Sequence, residues 1–298
     1  MGVARASGRT ARGGGSLRTS RVAAGRGAGV GARKTRVATG AKRQPPAVRR
    51  RPAGVVLRRP AGAASPGYGA RRYWEARYAS LAAGARSREA DEWLLDFEQL
   101  EGLLPRVKRA DFLDLGCGVS AFLKDLRERA GARGRLVGVD YSPSAVALCQ
   151  EKRAAEGVEY LRMDARRLSF PDESFDVVLD KATLDGQLCG RGAAAATCRE
   201  VGRVLRPGGS YIVVTWRGPK RSGGLGWLMD LVLPALRERS GSQAWRVDVH
   251  SFAGAEADVD AEGAEEGYGR LPNVFVITKA RAAARGSARD VPIRQHAH

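Results

Sequence analysis

The sequence predicts an α/β protein with a seven-stranded mixed sheet, mostly parallel, carrying helices on both faces and ending in an antiparallel C-terminal hairpin. Three observations predict it. Apolar strand-like runs alternate with helix-like runs from residue 112 to residue 216, the rhythm of a parallel sheet covered on both sides. Two glycines, Gly116 and Gly118, follow the first of these strands directly. Near the end of the chain two strand patterns succeed each other with no helix between them, and strands joined by a loop pair antiparallel.

The elements follow in order. Residues 1–74 hold 18 of the 51 basic residues and no acid, so the net charge of +19 belongs to this segment and the remainder is near balance. Arg, Gly, Ala and Pro dominate there, too apolar-poor to offset ordering entropy, and 1–72 is read as a disordered basic segment. Arginine-rich and acid-free, it fits a transit peptide to mitochondrion or plastid. Three alternatives stand beside that: a basic arm on nucleic acid, a wrongly placed start, and cytoplasmic residence. Ordered chain is expected from "RRYWEARY" (71–78). "SREADEWLLDFEQLEGLL" (87–104) places Trp93, Phe97, Leu100 and Leu104 at helical spacing and predicts one helix.

"FLDL" (112–115) is the first strand, with Ser120 as cap of a helix over 121–130. "RLVGVD" (135–140) is the second, and Ser142-Pro143 starts a helix running to about 156. "VEYLRMD" (158–164) and "SFDVVLD" (174–180) are the third and fourth. A helix over 193–205 ends at Pro207-Gly208-Gly209, and "SYIVVTW" (210–216) is the fifth. "AWRVDVHSF" (244–252) and "PNVFVITKA" (272–280) form the hairpin, joined by an acidic, Gly-rich link, and 281–298 reads as a disordered tail. The domain is therefore expected over 73–280.

Some chemistries are excluded. Cys117, Cys149, Cys189 and Cys198 form no CxxC, so neither a disulfide framework nor a zinc site is expected. Three histidines, two of them in the tail, supply no triad and no metal centre. The most apolar later stretch, 225–236, is too short to span a membrane and contains Asp230, so no membrane partner is expected.

Gly116-Cys117-Gly118-Val119-Ser120-Ala121 satisfies G-x-G-x-x-[GA], which alone makes NAD the first alternative. Asp114 argues against it, since a carboxylate beside a pyrophosphate is unfavourable. A nucleoside carrying an ammonium and a sulfonium suits that carboxylate, and S-adenosylmethionine is such a molecule. Asp140 ends the second strand 24 residues after Gly116, where a carboxylate can accept both ribose hydroxyls; Tyr141 follows it. Asp164 ends the third strand another 24 residues on, placed to accept from an adenine amino group, and Ala165 offers a backbone N–H. Three acids at successive strand ends carry more weight than any one of them.

"LDLGCG", "VGVDYS", "RMDARRLSFPDESFDVVLDK" and "REVGRVLRPGG" resemble, in order and spacing, the motifs of class I S-adenosylmethionine-dependent methyltransferases, a resemblance covering about residues 73–280. It implies a Rossmann-like seven-stranded sheet and S-adenosylmethionine as cofactor. "YWEARY", "GCGVS" and "DKATLD" are similar to the methyltransferase-like protein lysine methyltransferases that act on elongation factor 1-alpha or citrate synthase, though Ala182 stands where that group has glycine and Gly186 where alanine is usual. The resemblance implies that Tyr73, Trp74 and Tyr78 cover the cofactor with Trp93 nearby, that Asp180 orients the incoming amine, and that Lys181 and Asp185 lie close by. The acceptor it implies is a lysine of a protein. Small-molecule N-, O- or C-methylation, and a non-catalytic cofactor- or RNA-binding role, are the alternatives; no nucleic-acid partner is expected except through the basic segment.

Overall fold

The computed structural model describes residues 67–84, 92–105, 107–189, 193–219, 224–240, 244–251, 272–281 and 291–298. Of the two units into which the chain divides, Met1–Arg43 and Gln44–His298, the described residues all belong to the second. Residues 1–66 of the expected disordered transit segment, residues 87–91 of the expected 87–104 helix, and the 253–267 link lie outside them, while residues 67–72, expected to be disordered, are described and a helix begins at Arg71.

Five strands, β1 (Phe112–Leu115), β2 (Leu136–Asp140), β3 (Val158–Arg162), β4 (Phe175–Lys181) and β5 (Leu205–Thr215), run parallel. Next come β6 (Trp245–Ser251), β7 (Asn273–Lys279) and β8 (Ile293–Ala297), and the sheet order is β3-β2-β1-β4-β5-β7-β6-β8. β7 pairs antiparallel with both β5 and β6, the expected hairpin. The chain leaves β1 toward β2 and β3, then returns to add β4 on β1's other side. That reversal opens a crevice at the carboxyl ends of β1 and β4, where open α/β sheets bind ligands.

Period-two alternation divides the core into two layers. Leu113, Leu115, Val178, Tyr211 and Val213 pack on one face with helices α6 (Ala193–Val204) and α7 (Leu233–Glu238). Phe112, Leu136, Val177, Leu179 and Ile212 pack on the other, with residues of α2 (Phe97–Leu100), α3 (Phe122–Glu128) and α4 (Pro143–Lys152). Before β1 lies α1 (Arg71–Ala82), and between β4 and α6 lies the short α5 (Thr183–Leu188). Among the described residues no helix is long and apolar enough to cross a membrane.

Three expectations change. The single helix over 87–104 is replaced by the four-residue α2 and one 3-10 turn, Glu101–Leu103. Leu94 has a positive φ of 66°, and Asp96 closes a capping box with Gln99, so the helix can only start at Phe97. Phe97 and Leu100 are buried as the stripe predicts, whereas Trp93 turns to a separate aromatic cluster. Strand β5 begins at Leu205 and runs through Pro207-Gly208-Gly209, with a register shift opposite Phe175 and Val177. The tail, expected to be disordered, supplies an eighth strand: β8 pairs parallel with β6, and His250 Nδ1 lies 2.9 Å from His298 Nε2. Polar alternation hid it, because only Ile293 is partly buried and the strand is held by its ladder rather than by a core face.

Candidate functional site

The glycine loop sits at the crevice for a steric reason. Gly116 (φ 61°) and Gly118 (φ 52°) both occupy the left-handed region. A Cβ on Gly116 would stand 2.1 Å from Thr183 Oγ1, and one on Gly118 would stand 2.5 Å from the Tyr78 hydroxyl. The loop is therefore pressed between α5 and α1, and beside it lies a cavity of about 190 Å³.

Asp140 lines this cavity, 5% exposed, and accepts from Gly118 N at 3.1 Å and Ser142 N at 2.8 Å. Burial pushes its carboxyl up while those two amides oppose the shift. Asp114 lies beneath the loop rather than on the wall. It is 2% exposed, and its carboxylate accepts no hydrogen bond from a described residue. Burial, with Cys149, Asp180 and Asp140 as neighbours, drives its carboxyl well above the carboxylate range. Burial without a countercharge favours the protonated form, and a cationic ligand at the loop would favour the charged one.

Asp164 and Ala165 line the wall after β3. Glu200 and Arg203 of α6 hold the chain that follows. Glu200 accepts from Leu168 N at 2.8 Å, and Arg203 donates to the carbonyls of Leu168 and Phe170. Asp164 is already engaged: Arg166 chelates it, Arg71 Nη1 donates to it at 3.1 Å, and these bonds hold its carboxyl below the usual range. An adenine amino group would share this carboxylate with two guanidiniums. Arg71 also lies 4.4 Å over the Tyr141 ring, and its carbonyl accepts the Tyr141 hydroxyl.

The aromatics of α1 close the opposite side. Trp74 and Tyr78 line the cavity and stack at 6.1 Å, and Trp93 meets Trp74 edge-on at 5.6 Å. Tyr73 does not line it; it packs edge-on against Tyr68 and Trp74, each at 5.2 Å.

Asp180 is not at the cavity. Strand alternation turns it to the sheet face opposite Lys181, where it is fully buried and accepts from Leu184 N and the Tyr211 hydroxyl, each at 3.0 Å. Burial pushes its carboxyl up to about 7. The amine-orienting role expected of it is therefore corrected: this carboxylate ties α5 to β5. Asp185 is likewise committed, accepting from Thr215 Oγ1 at 2.7 Å and Trp216 N at 3.2 Å. Lys181 does line the cavity, but as a buried clamp. Its Nζ pairs with Glu92, donates to Ser120 Oγ at 3.1 Å, and lies 5.4 Å from the Phe122 ring.

Sequence reasoning missed Glu92, Arg71, Tyr68, Thr183 and Gln187. Glu92 accepts from Ser120 Oγ at 2.7 Å and Ala121 N at 3.0 Å, so it anchors the Trp93 segment to the glycine loop. Nothing local marks it, since its lysine is 89 residues away. No group of three or more His, Cys, Asp or Glu able to hold a metal ion occurs among the described residues.

A family model described as a methyltransferase domain matches residues 113–213. The EEF1A lysine methyltransferase 4 of Mus musculus is 37% identical over 161 residues, 49% of this chain and 61% of that protein. The eEF1A lysine and N-terminal methyltransferase of Homo sapiens is 29% identical over 233 residues, 75% of this chain and 30% of that protein. A solved structure, an SAM-dependent methyltransferase from Aquifex aeolicus, is 16% identical, covers 68% of this chain and 97% of that one, and gives a TM-score of 0.45. The chain spans less than two thirds of the length of the curated relatives it matches.

Proposed function

We propose that the chain carries a class I S-adenosylmethionine-dependent methyltransferase domain and that it methylates the ε-amine of a lysine in a protein substrate. The observation that carries the donor is the Asp140 carboxylate on the cavity wall beside a glycine loop backed by buried Asp114, since two acids at this loop favour a cationic nucleoside over a pyrophosphate. The names of the mouse and human relatives support a protein lysine as acceptor, and elongation factor 1A is the first protein to test.

Each part of the chain then has a task. Asp114, buried beneath the loop, adds negative charge under the donor's ammonium without lining the cavity. Asp140 offers its free acceptor capacity to the ribose hydroxyls, while Gly118 N and Ser142 N fix its orientation. Met163, Asp164 and Ala165 form the wall for the base. Trp74, Tyr78 and Trp93 exclude water from the opposite side. When bound, S-adenosylmethionine supplies an electrophilic methyl group on a sulfonium, whose leaving thioether needs no acid. Positioning can therefore supply most of the rate. A lysine amine, with a reference pKa of ~10.4, must arrive deprotonated, and the aromatic mouth lowers that pKa by desolvating the ammonium.

The test is tritium transfer from methyl-labelled S-adenosylmethionine into elongation factor 1A and into lysate protein, followed by acid hydrolysis. Radioactive methyl-lysine is the expected product. Label confined to the small-molecule fraction would overturn the acceptor class, and no affinity for S-adenosylhomocysteine would overturn the donor. We further propose that the arginine-rich, acid-free part of residues 1–72 that precedes Gly67 addresses the protein to mitochondrion or plastid, with residues 67–72 belonging to the folded domain. A native protein whose N-terminus begins at Gly2 would overturn that.

A further inference from the structure

Every charged or hydroxyl side chain from the end of β4 through the first turn of α5 is already committed inside the protein. Asp180 binds Leu184 N and Tyr211, Lys181 binds Glu92 and Ser120, Thr183 Oγ1 donates to Leu115 O at 2.9 Å, and Asp185 binds Thr215 and Trp216. One polar side chain on this helix is different. Gln187 lines the cavity, and its Oε1 is sealed from solvent with no hydrogen-bond partner among the described residues. No bond holds that oxygen inward, so turning the amide toward a donor in the cavity costs Oε1 no hydrogen bond and gains it one.

Its place on the helix says which ligand. Gln187 stands four residues after Thr183, so the two share one face of α5. Thr183 is the residue against which Gly116 is pressed, which puts this face over the glycine loop, where the methyl donor is read to sit. Gly186, beside Gln187, approaches the Tyr68 carbonyl, so α5 also borders the aromatic side of the cavity.

Resting on the function proposed above, we infer that Gln187 positions the acceptor amine by accepting one of its N–H groups through Oε1. A neutral amide suits the task better than a carboxylate. It fixes the nitrogen without forming an ion pair with the ammonium, so it raises the amine's pKa less than a carboxylate would and leaves the lone pair more available. The lysine nitrogen forms its bond to the methyl carbon as the sulfur–carbon bond breaks, the electron pair stays on sulfur, and the alkylammonium product releases its proton to water.

The experiment compares the unaltered protein with Gln187→Leu and Gln187→Glu. It reads methyl-lysine formed in lysate protein from tritiated S-adenosylmethionine across pH, S-adenosylhomocysteine affinity by calorimetry, and Tm. Gln187→Leu is expected to lower the transfer rate about tenfold at every pH, the loss of about 1.4 kcal/mol of positioning. It should leave S-adenosylhomocysteine affinity within about twofold, and Tm unchanged or higher, because it removes an unpaired buried amide. Gln187→Glu is expected to move the rising limb of the pH–rate profile to higher pH, which a purely structural residue would not do. Full activity in Gln187→Leu, or an equal loss of S-adenosylhomocysteine affinity, would overturn the inference alone. An unaltered protein that binds S-adenosylhomocysteine but labels no lysine would overturn the proposed acceptor and this inference with it.

Discussion

At the scale of single residues, the two aspartates Asp140 and Asp180 separate by what surrounds them. Asp140 faces the cavity, so Asp140→Ala should weaken S-adenosylhomocysteine binding by about 10- to 100-fold in calorimetry, the worth of one or two hydrogen bonds to a charged acceptor. Asp180 faces away from it. Its folded pKa, about 7, lies above the unfolded aspartate value. The folded state therefore holds a proton that the unfolded chain has lost between about pH 4 and pH 7, and stability falls as pH rises through that window. Asparagine can accept from Leu184 N and donate to the Tyr211 oxygen without ionising. Asp180→Asn should flatten the decline and raise Tm above pH 7, read by calorimetric melts across pH. Loss of transfer without that gain would restore the role first expected of it. Ala182 carries a φ of 65° at the N-cap of α5. Relief of a left-handed alanine, less the extra unfolded freedom of glycine, makes Ala182→Gly stabilising by about 0.5–1 kcal/mol in denaturant titration.

At the scale of elements, the strand ends were legible and the aromatic side of the cavity was only partly so. Gly116, Asp140 and Asp164 fall at fixed intervals because each βα unit repeats one length, so their convergence could be read from spacing alone. Trp74 and Tyr78 came from a motif, and the motif could not separate them from Tyr73, which only packs on its neighbours. The Trp93 segment defeated periodicity altogether. Its apolar residues keep helical spacing, yet Leu94 breaks the backbone and Glu92 reaches across to Lys181. Long-range pairing leaves no local trace. That pair carries a prediction. Glu92 is 13% and Lys181 5% exposed, so Glu92→Ala takes the carboxylate from a buried ammonium and should cost about 3–5 kcal/mol, with S-adenosylhomocysteine affinity falling as the Trp93 segment loosens. Adding Lys181→Met should recover part of the stability in a double-mutant cycle; strictly additive losses would refute the coupling.

At the scale of the whole molecule, the same glycine loop serves two layers. It is gripped from below by β1 and β2, through Cys117 N to Val139 O at 3.0 Å, and from above by α1 and α5. Binding at the loop should therefore protect α1 and α5 from amide exchange together, while β8, at the other end of the sheet order, stays as it was. The composition of the first 74 residues suggested a separate segment because charge can be counted without a fold, whereas β8 needed a partner strand to exist at all.

That last strand also governs how the molecule behaves among its neighbours. With β8 in place, β6 has a ladder on both sides. Removing residues 291–298 would leave its outer amides and carbonyls seeking mates, and the handiest mate is another copy of the same strand. Light scattering should then reveal clumping in the shortened protein at concentrations where the intact one stays dispersed, and a bulky tag fused beyond His298 should move it in the same direction.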